Sequence, residues 1–145
     1  MKDFKTYFFD TNIFLRPLVK DHPKQTNDCV DLFSALRDAK FQAVTSQPVL
    51  AEVAWVSQSF YGFTKEEVVR AMSGLLGFKH LVISDFTNFL VALSYYKKYS
   101  LSLIDCIIGS HAIFQESDTA IVSYDKDFDK LGLRRLEPSD VLATL

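Results

Sequence analysis

The sequence predicts an α/β domain built on a parallel, twisted sheet of four to five strands with helices on both faces. Three observations predict it. Short apolar, β-branched or aromatic runs at residues 6–9, 42–45, 81–83 and 120–123 alternate with longer stretches of helical periodicity, the pattern of βαβ units joined by right-handed crossovers. The 145 residues are 48% apolar, enough for a sizeable core in one domain, and no repeat, low-complexity tract, linker or composition shift divides them. Neither GxGxxG nor GxxxxGKS/T occurs, so the usual nucleotide-binding loops of such sheets are missing.

Each element has its own signal. Thr6-Tyr7-Phe8-Phe9 is β-branched and aromatic and ends at Asp10, which makes it a buried first strand. A short helix follows around residues 13–19. Asp21-His22-Pro23 opens the next, with Cys29, Val30, Leu32, Phe33 and Leu36 as its apolar stripe. Residues 42–45 form a second strand, and Ser46 caps a helix that has Pro48 in its first turn and carries Val49, Leu50, Glu52, Val53, Ala54 and Val56. Phe60-Tyr61-Gly62-Phe63 is the turn of a helical hairpin, whose second arm starts with the capping box Thr64-Lys65-Glu66-Glu67 and stops at Gly77. Residues 81–83 are a third strand. Ser84 is expected to cap a helix through Tyr99, and Ser102 another from Leu103 to about Gln115. After the fourth strand come a loop or short helix at residues 125–131, an edge strand at 133–136 and a terminal helix opened by Pro138.

Composition removes several classes of function. Cys29 and Cys106 sit in helical apolar patterns without CxxC or Cys/His spacing, which points to buried free thiols rather than a disulfide or zinc site. The apolar stretch before Asp10 is too short for a signal peptide, and no later run is long enough to span a bilayer, so the expected location is the cytoplasm. A net charge of -2 does not by itself announce a nucleic-acid partner. Five of the eighteen acids gathered at one site would leave thirteen against sixteen bases elsewhere, and Lys97-Lys98, Lys126, Lys130 and Arg134-Arg135 could then line a groove. Such runs are equally the mark of solvated helix faces.

The chemistry-bearing residues are acids at positions where core is expected: Asp10 after an apolar strand, Glu52 within an apolar helix, Asp105 after Ser102, and Asp125 with Asp127 after the fourth strand. Taken singly, each admits a structural role. Asp10 could cap the following helix, Glu52 could face solvent, Asp105 could be a capping-box acid, and Asp125-Lys126-Asp127 could be a turn. Taken together they suggest more, because ligands of open parallel sheets bind beyond the carboxyl ends of the strands, where Asp10 and Asp125 fall. Asp105, in the first turn of a helix, is favoured there by the free N–H groups and the dipole. Buried acids cost several kcal/mol unless paired, and no matching set of Lys or Arg accompanies them. Oxygen ligands without His or Cys suit Mg²⁺, with Mn²⁺ as the alternative, and such ions serve phosphodiester hydrolysis.

At this level the chain resembles the PIN-domain ribonucleases, especially the small VapC-type toxins of prokaryotic toxin–antitoxin pairs. Phe9-Asp10-Thr11-Asn12 resembles their opening D-T-N, Glu52 their helical acid, Asp105 to Gly109 their D-A-x-I-A, and Ser123 to Phe128 their T-x-D-x-D-F. Cys106 replaces the usual Ala, and Ser123 replaces Thr while keeping the hydroxyl. The resemblance covers nearly the whole chain and implies a PIN-like nuclease domain over residues 1–145. It implies catalytic and Mg²⁺- or Mn²⁺-holding roles for Asp10, Glu52, Asp105 and Asp125, Asp127 as a further metal-side acid, and support by hydrogen bonds from Thr11, Asn12 and Ser123. It also implies an RNA substrate, a small antitoxin partner and a homodimer, or else a PIN nuclease of RNA processing that is no toxin. Two further readings remain. A phosphatase of the haloacid dehalogenase class would need an acid at Asn12, and a non-catalytic PIN-like module would be expected to lack a core acid. Trp55, Phe60, Tyr61, Phe63 and Phe78 are aromatic enough to stack on RNA bases or to receive a partner helix, though core packing suits most of the aromatic residues; His22, His80 and His111 lie outside every acidic signature.

Overall fold

The computed structural model describes residues 5–145; the first four residues of the amino-terminal stretch weighed above as a leader lie outside them. Five parallel strands run in the order β3-β2-β1-β4-β5: β1 (Thr6–Phe9), β2 (Gln42–Thr45), β3 (Leu81–Ile83), β4 (Ala120–Val122) and β5 (Arg135–Leu136). The helices between them are α1 (Thr11–Val19), α2 (Pro23–Arg37), α3 (Gln47–Ser59), α4 (Lys65–Leu76), α5 (Phe89–Lys98), α6 (Leu103–Gly109) and α7 (Ile113–Glu116), with α8 (Pro138–Ala143) closing the chain and a 3₁₀ turn over Lys126–Leu131.

Burial on both faces explains why β1 reads as an unbroken apolar run. Tyr7, Phe8 and Phe9 are all buried although neighbouring side chains point to opposite faces. Phe8 meets Phe114 and His111 on one side, while Phe9 meets Phe14, Phe33 and Phe41 on the other. β1 is the central strand, and the chain order reverses direction across it: β2 and β3 are added on one side, β4 and β5 on the other. The crevice at that reversal is where the carboxyl ends of β1 and β4 lie.

Several expectations need correction. The helix foreseen after Ser84 begins only at Phe89: Ser84 N–H still donates to the Thr45 carbonyl, its own carbonyl is held by His111 Nε2, and Asn88 caps α5 through Val91 N–H. The long helix foreseen from Leu103 to Gln115 is two short ones. Ser110 Oγ donates to the Ile107 carbonyl, His111 Nδ1 takes Ile113 N–H, and Ala112 N–H turns to the Phe86 carbonyl, so the groups that would continue α6 are spent elsewhere. His111 is therefore a buried post between two segments and not a helix residue; burial lowers its pKa, opposed by its bond to Ser84. Val30 leaves the α2 stripe and is exposed. Gly77 ends α4 in a right-handed conformation, and the left-handed residue of that turn is His80. Ser46 occupies the N-cap position of α3 but makes no capping bond. The Thr64/Glu67 capping box forms as expected, and Cys29 and Cys106 are free and buried. No helix among the described residues is long and apolar enough to cross a membrane.

Candidate active site

Register brings the first contact about. Phe9 pairs with Val122, so Asp10 and Ser123 emerge side by side at the carboxyl ends of β1 and β4. Asp10 N–H donates to the Val122 carbonyl, and Ser123 Oγ donates to Asp10 Oδ2 at 2.7 Å. The same hydroxyl accepts Asp125 N–H at 3.0 Å, and Asp125 Oδ1 in turn accepts Asp127 N–H at 2.9 Å, which starts the 3₁₀ turn. One serine thus ties the strand acid to the loop acids. From behind, Arg135 Nη1 donates to the Ser123 carbonyl while its Nε pairs with Asp129, fixing the same loop.

Two helices supply the other acids. Asp105 is the third residue of α6, and Ser102 Oγ caps that helix by accepting Asp105 N–H. Glu52 is on α3, half-buried. Carboxylate oxygens of Asp105, Asp125 and Asp127 lie within 4.8 Å of one another. Glu52, Asp105 and Asp125 line a cleft of about 560 Å³ together with Ala51, Trp55 and Ile104. Asp10 lies deeper, only 4% exposed, and close enough to feel the charges of Glu52 and Asp105.

Electrostatics set this group apart from ordinary surface acids. Burial pushes Asp10 up to about 7, against the lowering bonds from Ser123 and the Thr11 backbone, with Glu52 and Asp105 adding to the rise. Burial likewise raises Glu52 and Asp105; Thr11 opposes the first shift and Ser102 the second, and neighbouring acids add to both. Among the described residues, the only basic partner of the five acids is Lys130, 3.1 Å from Asp127. A divalent cation fits this donor set: it is all hard oxygen, it is short of positive charge, and Glu52 Oε2 and Thr11 Oγ1 are buried without a hydrogen-bond partner. Thr11 is near enough to lower the Glu52 pKa, yet the two do not reach hydrogen-bond geometry.

The support expected from Thr11, Asn12 and Ser123 is thus unequal. Ser123 forms it directly, Thr11 is adjacent but unbonded, and Asn12 is half-buried with no side-chain bond to a carboxylate among the described residues. The bases do not form one strip. Arg134 pairs with Asp118 and lines, with Lys5, a cavity at the amino ends of β1 and β4, away from the acids, Arg135 is locked behind the loop, and Lys126 and Lys130 remain beside the acids. Sequence reading missed the Arg135 brace, for which only its place after the loop gave a hint. It also missed Gly109, whose absent side chain lets Leu131 of the 3₁₀ turn approach α6 to 2.5 Å from where a Cβ would stand.

A model of the PIN domain family matches residues 7–133. Solved structures align along most of the chain. The Mycobacterium tuberculosis sarcin-ricin loop cleaving toxin VapC20 is 16% identical with a TM-score of 0.70, covering 91% of this chain and 99% of that one. VapBC2 from Rickettsia felis, bound to a DNA fragment from its promoter, is 21% identical with a TM-score of 0.63, covering 91% and 98%. A toxin–antitoxin complex from Klebsiella pneumoniae is 17% identical with a TM-score of 0.57, covering 91% and 97%. At such identities the likeness is one of fold. No curated protein matches the chain in sequence.

Proposed function

The chain belongs to the PIN domain family, a family of nucleases, and on that premise we propose that it is a divalent-metal-dependent endoribonuclease and the toxin of a toxin–antitoxin pair. The observation that carries the reading is the convergence of Asp105, Asp125 and Asp127 within 4.8 Å, backed by Asp10 and Glu52 with their raised pKa values. Asp10, Glu52, Asp105 and Asp125 would hold Mg²⁺, or Mn²⁺ in its place, with Asp127 at the same cluster. Bound there, the ion would supply Lewis-acid stabilisation of the phosphoryl oxygens and a more acidic attacking water.

The chain's own residues do the rest. Ser123 fixes Asp10 and the Asp125 backbone with one hydroxyl, so two acids far apart in sequence are held together at the ends of neighbouring strands. Ser102 and the first turn of α6 orient Asp105. Lys130, held between Asp127 and the Ser100 carbonyl, keeps a positive charge at the rim, where an RNA backbone would pass.

The structural neighbours that are toxin–antitoxin assemblies support an antitoxin partner. An apolar groove of about 280 Å³ between α1, α2 and α4, lined by Phe14, Leu18, Val30, Phe33 and Phe78, suits an apolar antitoxin segment. The exposed Phe89, Leu90, Leu93 and Tyr96 of α5 support a homodimer. The phosphatase reading has lost its ground, since Asn12 stands where its second acid is needed. The direct test is cleavage of a looped RNA by protein freed of any partner, with and without EDTA. Cutting that persists after complete metal removal would overturn the mechanism.

A further inference from the structure

The acid cleft has one wall of a different chemistry. Trp55 lies on α3 three residues beyond Glu52, lines the same cleft as Glu52, Asp105 and Asp125, and is 66% exposed. It adds nothing to the core: the buried side of α3 is Val49, Val53 and Ser57, and position 55 is turned about 200° from 53 at 100° per residue. A large indole left in solvent forgoes the burial that normally stabilises it.

Charge explains what such a ring can do there. Five carboxylates give a phosphate backbone no attraction of their own, so a contact that does not depend on charge would add to what Lys130 and a bound cation supply. A flat aromatic face supplies one to any nucleobase whose own face is free. In a duplex both faces of each base are covered by its neighbours, and only single-stranded or looped segments can offer one.

We propose that Trp55 is the stacking platform for an unpaired base of the RNA beside the scissile phosphate. The proposal rests on the nuclease reading above and names the residue that positions its substrate. Ala51 and Ile104 also line the cleft and give its wall apolar character.

Trp55 is the only tryptophan of the chain, so its fluorescence reports on this wall alone. The full chain is titrated in MgCl₂ with AMP, GMP, CMP and UMP, which contain no bond to cut, and with ribose 5-phosphate, which has no base. The nucleotides are expected to quench the emission saturably and ribose 5-phosphate to leave it unchanged. In cleavage assays Trp55→Ala should raise KM for a looped RNA about tenfold or more, with kcat changed much less, and Trp55→Phe should recover most of the loss. Circular dichroism and thermal melting of both variants should match the wild type, since the ring lies off the core. Emission unmoved by any nucleotide, in protein that still cuts RNA, overturns the stacking proposal and leaves the nuclease reading standing. Emission that shifts on dilution of the protein and not with nucleotide overturns it too, assigning the ring to a second copy. Saturable quenching in a protein that cuts no RNA supports the platform while removing the nuclease.

Discussion

Asp10 concentrates the site's electrostatic problem in one side chain. Folded, it keeps its proton up to about 7, whereas an ordinary Asp loses it near 3.8. Between those values the folded state binds more protons than the unfolded one, so the ion-free protein loses stability as pH rises from about 4 to about 7, by at most about 4 kcal/mol from this group. Glu52 and Asp105 are shifted in the same direction and steepen the slope. Urea unfolding in EDTA at pH 5 and pH 7.5 should therefore give a lower stability at the higher pH. Asp10→Asn should flatten that difference and raise stability at pH 7.5 while cutting RNA cleavage about a hundredfold or more, since it removes a charge from the proposed ligand set and keeps the shape. Asp38→Asn, on the surface, should change neither. Ser123 gives a second expectation at this scale. Ser123→Ala strips Asp10 of its donor and Asp125 N–H of its acceptor and should cost about 1–3 kcal/mol together with most of the activity, whereas Ser123→Thr should retain both.

Between elements, α6 and the 3₁₀ turn meet where Gly109 faces Leu131. A methyl placed on Gly109 must push the Leu131 side chain aside and, through it, the turn that begins at Asp125. Gly109→Ala should lower stability by about 1–3 kcal/mol and weaken Mg²⁺ dependence of the melting temperature; Leu131→Ala in the same chain should restore part of both, which a double-mutant cycle by thermal denaturation would read. How far the elements were legible in advance follows from where their signals lie. β1 and the Thr64/Glu67 box were plain because an apolar run and a capping pair act locally. The start of α5 and the break after Gly109 were not, because His111 reaches the Ser84 carbonyl and Ala112 N–H the Phe86 carbonyl, tertiary bonds across more than twenty residues that no window of sequence contains. For the site the division is similar. The five acids stood out as charges among apolar neighbours, while the Arg135 brace and the unbonded Thr11 hydroxyl depend on approach across the sheet and carry no local mark.

For the molecule as a whole, a cation bound at the cluster of like charges would be a structural partner as well as a chemical one. Millimolar MgCl₂ or MnCl₂ should raise the melting temperature of the wild type, by mass action on the folded state, and should do so much less in Asp125→Asn. An antitoxin arginine pairing bidentately with the acids would compete for the same charge, so antitoxin binding, measured by calorimetry, should weaken in Asp10→Asn and Asp125→Asn; a partner that binds without slowing cleavage would refute inhibition at this site. The parallel order of the sheet has one more consequence, and it concerns time. β1 is flanked by β2, made some thirty-five residues later, and by β4, made more than a hundred residues later. Asp10 can meet Ser123 and Asp125 only when β4 has docked against β1, a pairing whose long sequence separation makes it slow to form. During synthesis the chain therefore carries four fifths of its length, with α1 to α7 already made, before the carboxylates can assemble. The order in which the strands are made thus keeps the acid cluster incomplete until nearly the last strand.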